Sequence, residues 1–156
     1  MPLVDDDSPQ VRFPPPLIFV GCLVLGGLVG RALEWPVLAG VWPETLGWAL
    51  VVLGSVFIGA ALGWFYSAGT NPEPWKRDSA LVTKGFYRIT RNPMYLGMAF
   101  ASFGIALVYG SFGAMIGAAA AVLLVDRFVI AREERHLAKV FGEDYAAYRK
   151  RVRRWI

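Results

Sequence analysis

Residues 46–66 form a run of 21 residues without a charged side chain, and residues 92–125 form another of 34. A helix crossing the hydrocarbon core of a bilayer needs about 20 apolar residues at about 1.5 Å rise each. In hydrocarbon the backbone must satisfy its own N–H and C=O groups, so runs this long and uniformly apolar are read as membrane helices. The first run fits one crossing, and Trp48, Trp64 and Tyr66 lie near its ends, as interfacial aromatics do. The second would be about 51 Å long as a straight helix against a core of about 30 Å, so it must divide. Tyr109-Gly110-Ser111, near its midpoint, predicts a tight hairpin between spans at 93–108 and 112–130.

A further apolar run covers 17–33, bracketed by Pro14-Pro15-Pro16 and by Glu34-Trp35-Pro36. Asp5, Asp6 and Asp7 stand before it where a signal peptide carries basic residues, which argues for a retained helix. The expectation is an all-α integral membrane protein: one domain over 1–156 with four transmembrane helices, followed by cytoplasmic or interfacial helices over 131–156. Composition agrees, since 18% of residues are charged against roughly 25% in soluble domains. This composition argues against a soluble enzyme.

Of the 16 Lys and Arg residues, residues 1–66 hold only Arg12 and Arg31, while the other 14 fall within 69–91 and 126–156. Under the positive-inside rule both basic segments lie on the cytoplasmic side, with an even number of crossings between them. Both termini are then cytoplasmic. Three small-xxx-small pairs, Gly26 with Gly30, Gly59 with Gly63 and Gly113 with Gly117, allow close backbone approach, either inside the bundle or between copies. Monomer and homodimer both remain open.

Beyond the fourth span, residues 126–141 are amphipathic and charged, and Gly142 is expected to end that helix. In the short helix after it, Tyr145, Tyr148, Val152 and Trp155 recur at spacings of 3, 4 and 3 with Arg and Lys around them. That pattern predicts an interfacial helix against anionic headgroups.

Chemistry is concentrated in few places. Cys22 is a lone cysteine and His136 a lone histidine, so an intrachain disulfide, a thiolate cluster and a histidine-based metal site are excluded, and no metal is expected. Asn92-Pro93 reads as a helix start, with Asn92 as N-cap and Pro93 at the first helical position. Such an N-terminus suits an anion, and Arg88 and Arg91 stand beside it. Arg132-Glu133-Glu134-Arg135 lies at the same membrane face. Adjacent helical glutamates project about 100° apart, so one can face a pocket while the other faces water or an arginine. Together the two segments are complementary to a zwitterion.

Gly85-Phe86-Tyr87, then Arg91-Asn92-Pro93-Met94-Tyr95-Leu96-Gly97, Glu133-Glu134 with Leu137, and Phe141-Gly142-Glu143-Asp144-Tyr145-Ala146-Ala147-Tyr148 occur in this order. They resemble the isoprenylcysteine carboxyl methyltransferase family, a membrane methyltransferase superfamily that also includes phospholipid methyltransferases. The resemblance covers residues 81–156. It implies an S-adenosylmethionine-dependent methyltransferase in the bilayer, with its cofactor at the cytoplasmic face and a lipophilic or prenylated acceptor; no nucleic-acid partner is expected. It further implies that Ser79, Ala80, Leu81 and Val82, with Arg91, Asn92, Pro93, Met94 and Tyr95, line the cofactor. By the same resemblance Glu133 or Glu134 contacts it, Glu133 being favoured on register. Tyr87 falls where the family places a residue near the acceptor, and Arg127 and Arg132 are candidates for holding an acceptor carboxylate.

This chain departs from the family in carrying Asn92 where Arg-His-Pro is usual, which excludes a general base there, and in having no Gly-x-Gly. A carboxylate acceptor needs no base, because its pKa near 3.5 leaves it ionised at neutral pH. Carboxyl O-methylation is therefore the favoured reaction. The alternatives are N-methylation of a phospholipid or small lipid, and a four-helix carrier without catalysis; a carrier usually has an ionisable group deep within a span, which none of these spans has.

Overall fold

The computed structural model describes residues 14–69 and 80–156, and within them the chain is helical apart from short connections. Helix α1 spans Pro15–Ala32, α2 Val41–Ser67, α3 Pro93–Val108, α4 Phe112–Leu124 and α5 Ala131–Arg151. A 3-10 turn, Gly85–Arg88, precedes α3, and a π-helical segment, Val125–Ile130, joins α4 to α5 without a break. Helix α3 has the limits expected of the third apolar run, but with 16 residues it is shorter than the three helices that are long and apolar enough to cross a membrane. Helix α2 begins earlier than its apolar run because a helix can continue past the hydrocarbon, and Glu44 in its first turn suits the positive end of the helix dipole.

Lipid tails are as apolar as leucine, so helices in a bilayer associate by close backbone contact at small residues. Two glycine pairs do this between α2 and α3. A Cβ placed on Gly47 would lie 2.8 Å from the Gly104 carbonyl oxygen, and one on Gly97 would lie 2.7 Å from that of Gly54. Each pair member is seven residues from the next on its helix, two turns, so the contacts form one stripe. The α2 stripe continues to Ala61, which is fully buried against Val82 and Tyr87. The same row of small residues that joins the helices therefore ends at the segment preceding α3.

Helices α1 and α4 meet through Gly26, Gly30, Gly113 and Gly117; a Cβ on Gly30 would lie 2.9 Å from Gly113 Cα. Two of the three small-xxx-small pairs thus serve packing inside the chain. Gly59 and Gly63 have no neighbour within 4 Å. The reason is angular: Gly59 lies five residues beyond Gly54, about 140° around α2 from the packed stripe.

The α3–α4 hairpin turns where the sequence indicates. Gly110 adopts φ +58, a conformation glycine reaches without strain, and the Ser111 side chain accepts from the Ala114 amide as the N-cap of α4. The Leu38 amide donates to the Gly110 carbonyl at 2.8 Å, holding the α1–α2 connection beside this hairpin at one end of the bundle. The starts of α1 and α3 and the ends of α2 and α4 lie at the other end.

Gly142 breaks α5 at φ +47, as expected, but the chain beyond it departs from the expected interfacial helix. Helix α5 stops at Arg151, Val152 is extended, and Trp155 lies beyond the helix. Tyr145 and Tyr148 are 2% and 4% exposed. They cover the protein's own end instead of facing lipid, because the start of α3 leaves polar backbone groups there that the C-terminal strand-like segment satisfies. Arg149, Lys150, Arg151 and Arg153 remain exposed.

Replacing Gly97 with leucine should lower the thermal melting temperature in detergent, with about 1–3 kcal/mol of destabilisation from overpacking. Gly59→Ala should leave the melting temperature nearly unchanged, since its Cβ enters open space.

Candidate functional site at the charged end of the bundle

The segment before α3 is fixed by the C-terminus. The Arg91 amide donates to the Arg153 carbonyl at 2.9 Å, the fully buried Thr90 hydroxyl donates to the Arg154 carbonyl at 2.9 Å, and Thr90 and Arg153 form a parallel bridge. Asn92, read from sequence as a side-chain N-cap, does not cap α3. Its amide nitrogen instead donates to the Arg154 carbonyl at 2.9 Å. A returning chain offers carbonyl acceptors at this point, and the asparagine amide is a donor suited to them.

Glu134 lies between two arginines. Arg91 Nη2 is 2.7 Å from its Oε1, and Arg154 Nη2 is 2.6 Å from its Oε2. Arg154 also reaches Asp126 of the π-helical segment at 3.2 Å, and the Trp155 indole donates to Asp126 Oδ1 at 2.9 Å. The Arg91 guanidinium donates further to the Arg149 and Val152 carbonyls. These hydrogen bonds to carboxylates, Glu134 first, raise the Arg154 pKa further above its ordinary value. The network ties the start of α3, the start of α5 and the C-terminus into one unit.

Glu133 points elsewhere, as the 100° step requires: its carboxylate accepts from the Tyr95 hydroxyl. Tyr95 itself is buried in a cluster with Phe19, Val125 and Val129. Met94, one residue earlier, packs with Val82, Tyr87 and Ala61. The first turn of α3 thus divides its side chains between an α2 side and an α4 side. Tyr87 is buried, meets Phe65 edge-on at 5.7 Å, and its carbonyl accepts from the Tyr148 hydroxyl at 2.7 Å.

The other residues singled out from sequence fall around this network. Ala80 and Leu81 are half-buried beside buried Val82, and Pro93 is buried at the first position of α3. Ser79 lies outside the described residues. Arg127 is exposed, 3.8 Å from Asp126, and Arg132 is exposed one turn before His136. Sequence reading missed Asp126, Arg154, Tyr145 and Tyr148 as partners of this region. Arg154 was hidden in a basic run that reads as a solvated face, and Asp126 in the boundary of a span.

Among the described residues, two buried polar atoms, Arg91 Nε and Tyr145 Oη, find no hydrogen-bond partner. The Tyr145 hydroxyl is pushed up to about 12, first by burial and then by the negative charge of Glu134, and burial likewise raises that of Tyr148. Both phenols therefore stay protonated at neutral pH. Buried polar atoms in proteins are nearly always paired, so these atoms offer positions for a polar group supplied from outside the chain.

With this geometry, the chain matches the phospholipid methyltransferase family over residues 42–144. The chain belongs to the phospholipid methyltransferase family. The matched stretch takes in α2, the 3-10 turn, α3, α4 and the Gly142 break. Among curated relatives of this family member, the protein named protein-S-isoprenylcysteine O-methyltransferase from Homo sapiens is 32% identical over 124 residues, 76% of this chain and 43% of that one. Protein-S-isoprenylcysteine O-methyltransferase B of Arabidopsis thaliana is 30% identical over 116 residues, 71% of this chain and 57% of that one. An uncharacterised Haemophilus influenzae protein is 36% identical over 63 residues, 40% of this chain and its own entire length. The chain spans about half the length of the named relatives.

The two glutamates separate by mutation. Glu134→Gln leaves two arginines imperfectly paired and should destabilise the fold by about 3 kcal/mol, read as a lower melting temperature. Glu133→Gln should leave the melting temperature nearly unchanged.

Proposed function

We propose that this protein is an integral membrane methyltransferase that uses S-adenosylmethionine to methylate the carboxylate of a lipophilic, isoprenoid-like acceptor. The observation that carries the reading is the convergence of Arg91 to Tyr95 with Glu133 and Glu134 at one end of an apolar helix bundle. Family membership and the named relatives support the reaction class.

The residues present fit a zwitterionic cofactor. Arg91 Nε and Tyr145 Oη are unpaired polar atoms suited to a carboxylate, and the half-buried Glu133 carboxylate suits an ammonium. Half-buried Met94 offers apolar surface in front of buried Val82 and Pro93, and half-buried Ala80 and Leu81 extend that wall along the chain. When bound, the cofactor supplies a methyl group on a sulfonium, which an ionised acceptor carboxylate can attack in line without a protein base. The protein's part is then alignment and exclusion of water. Glu134 holds Arg91 in place, and Tyr95 orients Glu133 through its hydroxyl. Tyr87 lies between the α2 cluster and the C-terminal tyrosines, a position from which it can guide an acceptor entering from the bilayer, with Arg127 or Arg132 at the rim to receive its carboxylate.

The active end faces the cytoplasm by the charge argument: Lys84, Arg88 and Arg91 at the start of α3 and the basic residues of α5 all lie there. In a Cys22→Ala background, cysteine at exposed Lys84 and at exposed Tyr109 should label from opposite sides of sealed vesicles. Labelling of both from one side contradicts the orientation.

Purified protein given methyl-labelled S-adenosylmethionine with N-acetyl-S-farnesylcysteine, or with phosphatidylethanolamine, tests the reaction. Methyl transfer to the farnesylcysteine in a base-labile form, released as methanol, is the expected result. Base-stable label on phosphatidylethanolamine would establish N-methylation instead, and absence of transfer to either would refute the carboxyl assignment. Glu133→Gln should weaken cofactor binding by about 10-fold to 150-fold in calorimetric titration, as expected for loss of a charge-assisted hydrogen bond.

A further inference from the structure

At the end of the bundle remote from Glu134, a groove of about 610 Å³ opens between α1 and α3. That volume falls in the range of small-molecule sites, and the 16 residues of α3 separate it from the Asn92 end by about 24 Å. Its existence follows from the packing. Glycines draw α1 onto α4 and α2 onto α3, which leaves α1 and α3 only lightly joined. Val24 and Leu28 of α1 and Ile105 of α3 line it, together with Gly27 and Ala114. Val24, Leu28 and Ile105 are exposed.

Arg31 also lines this groove, on the last turn of α1. Arg91, Arg127 and Arg154 pair with carboxylates, whereas among the described residues Arg31 forms no ion pair. Residues 33–50 and 105–115, which form the rest of this end, contain no Lys or Arg. Among the described residues Arg31 is therefore the one basic side chain at this end; Glu34 and Glu44 also lie there but do not line the groove, so Arg31 is the charged residue at its mouth. A basic residue in the last turn of a helix favours the helix dipole, but that role does not require an apolar groove beneath it. Trp35, which stacks edge-on against Phe112 at 6.1 Å, also lines the groove and supplies an aromatic of the kind found at headgroup depth.

An apolar groove capped by one exposed arginine is complementary to one kind of bilayer component, an acyl chain attached to a phosphate. We propose that this groove holds a single anionic phospholipid of the adjoining leaflet, with an acyl chain between α1 and α3 and its phosphate on the Arg31 guanidinium. The planar guanidinium binds phosphate in bidentate fashion. A zwitterionic headgroup brings its own ammonium beside Arg31, whereas an anionic one neutralises it, so the site prefers net negative lipid. This site is separate from the proposed reaction centre and does not depend on the assigned chemistry.

Native mass spectrometry of the detergent-purified full chain, titrated with phosphatidylglycerol or phosphatidylcholine, tests the assignment. One phosphatidylglycerol should be retained, about tenfold more tightly than phosphatidylcholine, whose ammonium opposes the Arg31 charge. Arg31→Gln should reduce that preference to about twofold or less, within what loss of the charge removes. Gly27→Leu should abolish binding of both lipids by filling the groove. Its Cβ would meet nothing closer than the Ser111 hydroxyl at 3.8 Å, and a melting curve verifies folding. Equal binding of the two lipids by the parent, an undiminished preference in Arg31→Gln, or unchanged retention in folded Gly27→Leu would each overturn the proposal.

Discussion

The structure at the charged end depends on the Glu134 carboxylate held between Arg91 and Arg154. A buried ion pair is not stabilising by default, because desolvating the charges offsets their attraction unless the hydrogen bonds are well satisfied. Here both carboxylate oxygens accept from arginines, while Arg91 also donates to two carbonyls of the C-terminal segment. The arrangement joins residues 43 and 20 positions apart. It fixes the first turn of α3 relative to α5, and with it the orientation of Tyr95 toward Glu133.

The membrane imposes a second constraint that acts on different residues. Because lipid provides no hydrophobic drive for helix association, the bundle is held by glycine contacts that bring backbones together. Those contacts bind α2 to α3 and α1 to α4, and the cluster of Ala61, Val82 and Tyr87 at the charged end continues the first of them. The same pairing scheme leaves the α1–α3 seam open at the other end. One packing rule thus positions the proposed reaction centre and produces the groove beside Arg31.

Division of labour between two adjacent glutamates comes from helical geometry combined with burial. Glu134 holds the fold, whereas Glu133 lies half-buried against a tyrosine hydroxyl. Glu133 is the carboxylate that the proposed cofactor site uses, and Glu134 the one that joins the start of α3 to the C-terminus.

Sequence alone determined the elements that arise from local chemistry. Charge-free runs marked the apolar helices, three of them long and apolar enough to cross a membrane and α3 a shorter one. Proline, the Tyr109-Gly110-Ser111 cluster and Gly142 gave the breaks, because each restricts or frees the backbone at its own position. The motif residues Arg91 to Tyr95 and Glu133-Glu134 were likewise legible as a group. Tertiary structure decided what depends on which segment returns where. Asn92 reads as a cap, yet it serves the Arg154 carbonyl, and Tyr145 and Tyr148 read as a lipid-facing stripe, yet they are buried against the protein. Helical periodicity specifies that residues share a face but not what that face meets. Arg154 pairs with Glu134 and Asp126 only because the chain folds back over the start of α3, and a contact across 20 or more residues leaves no local mark in the sequence.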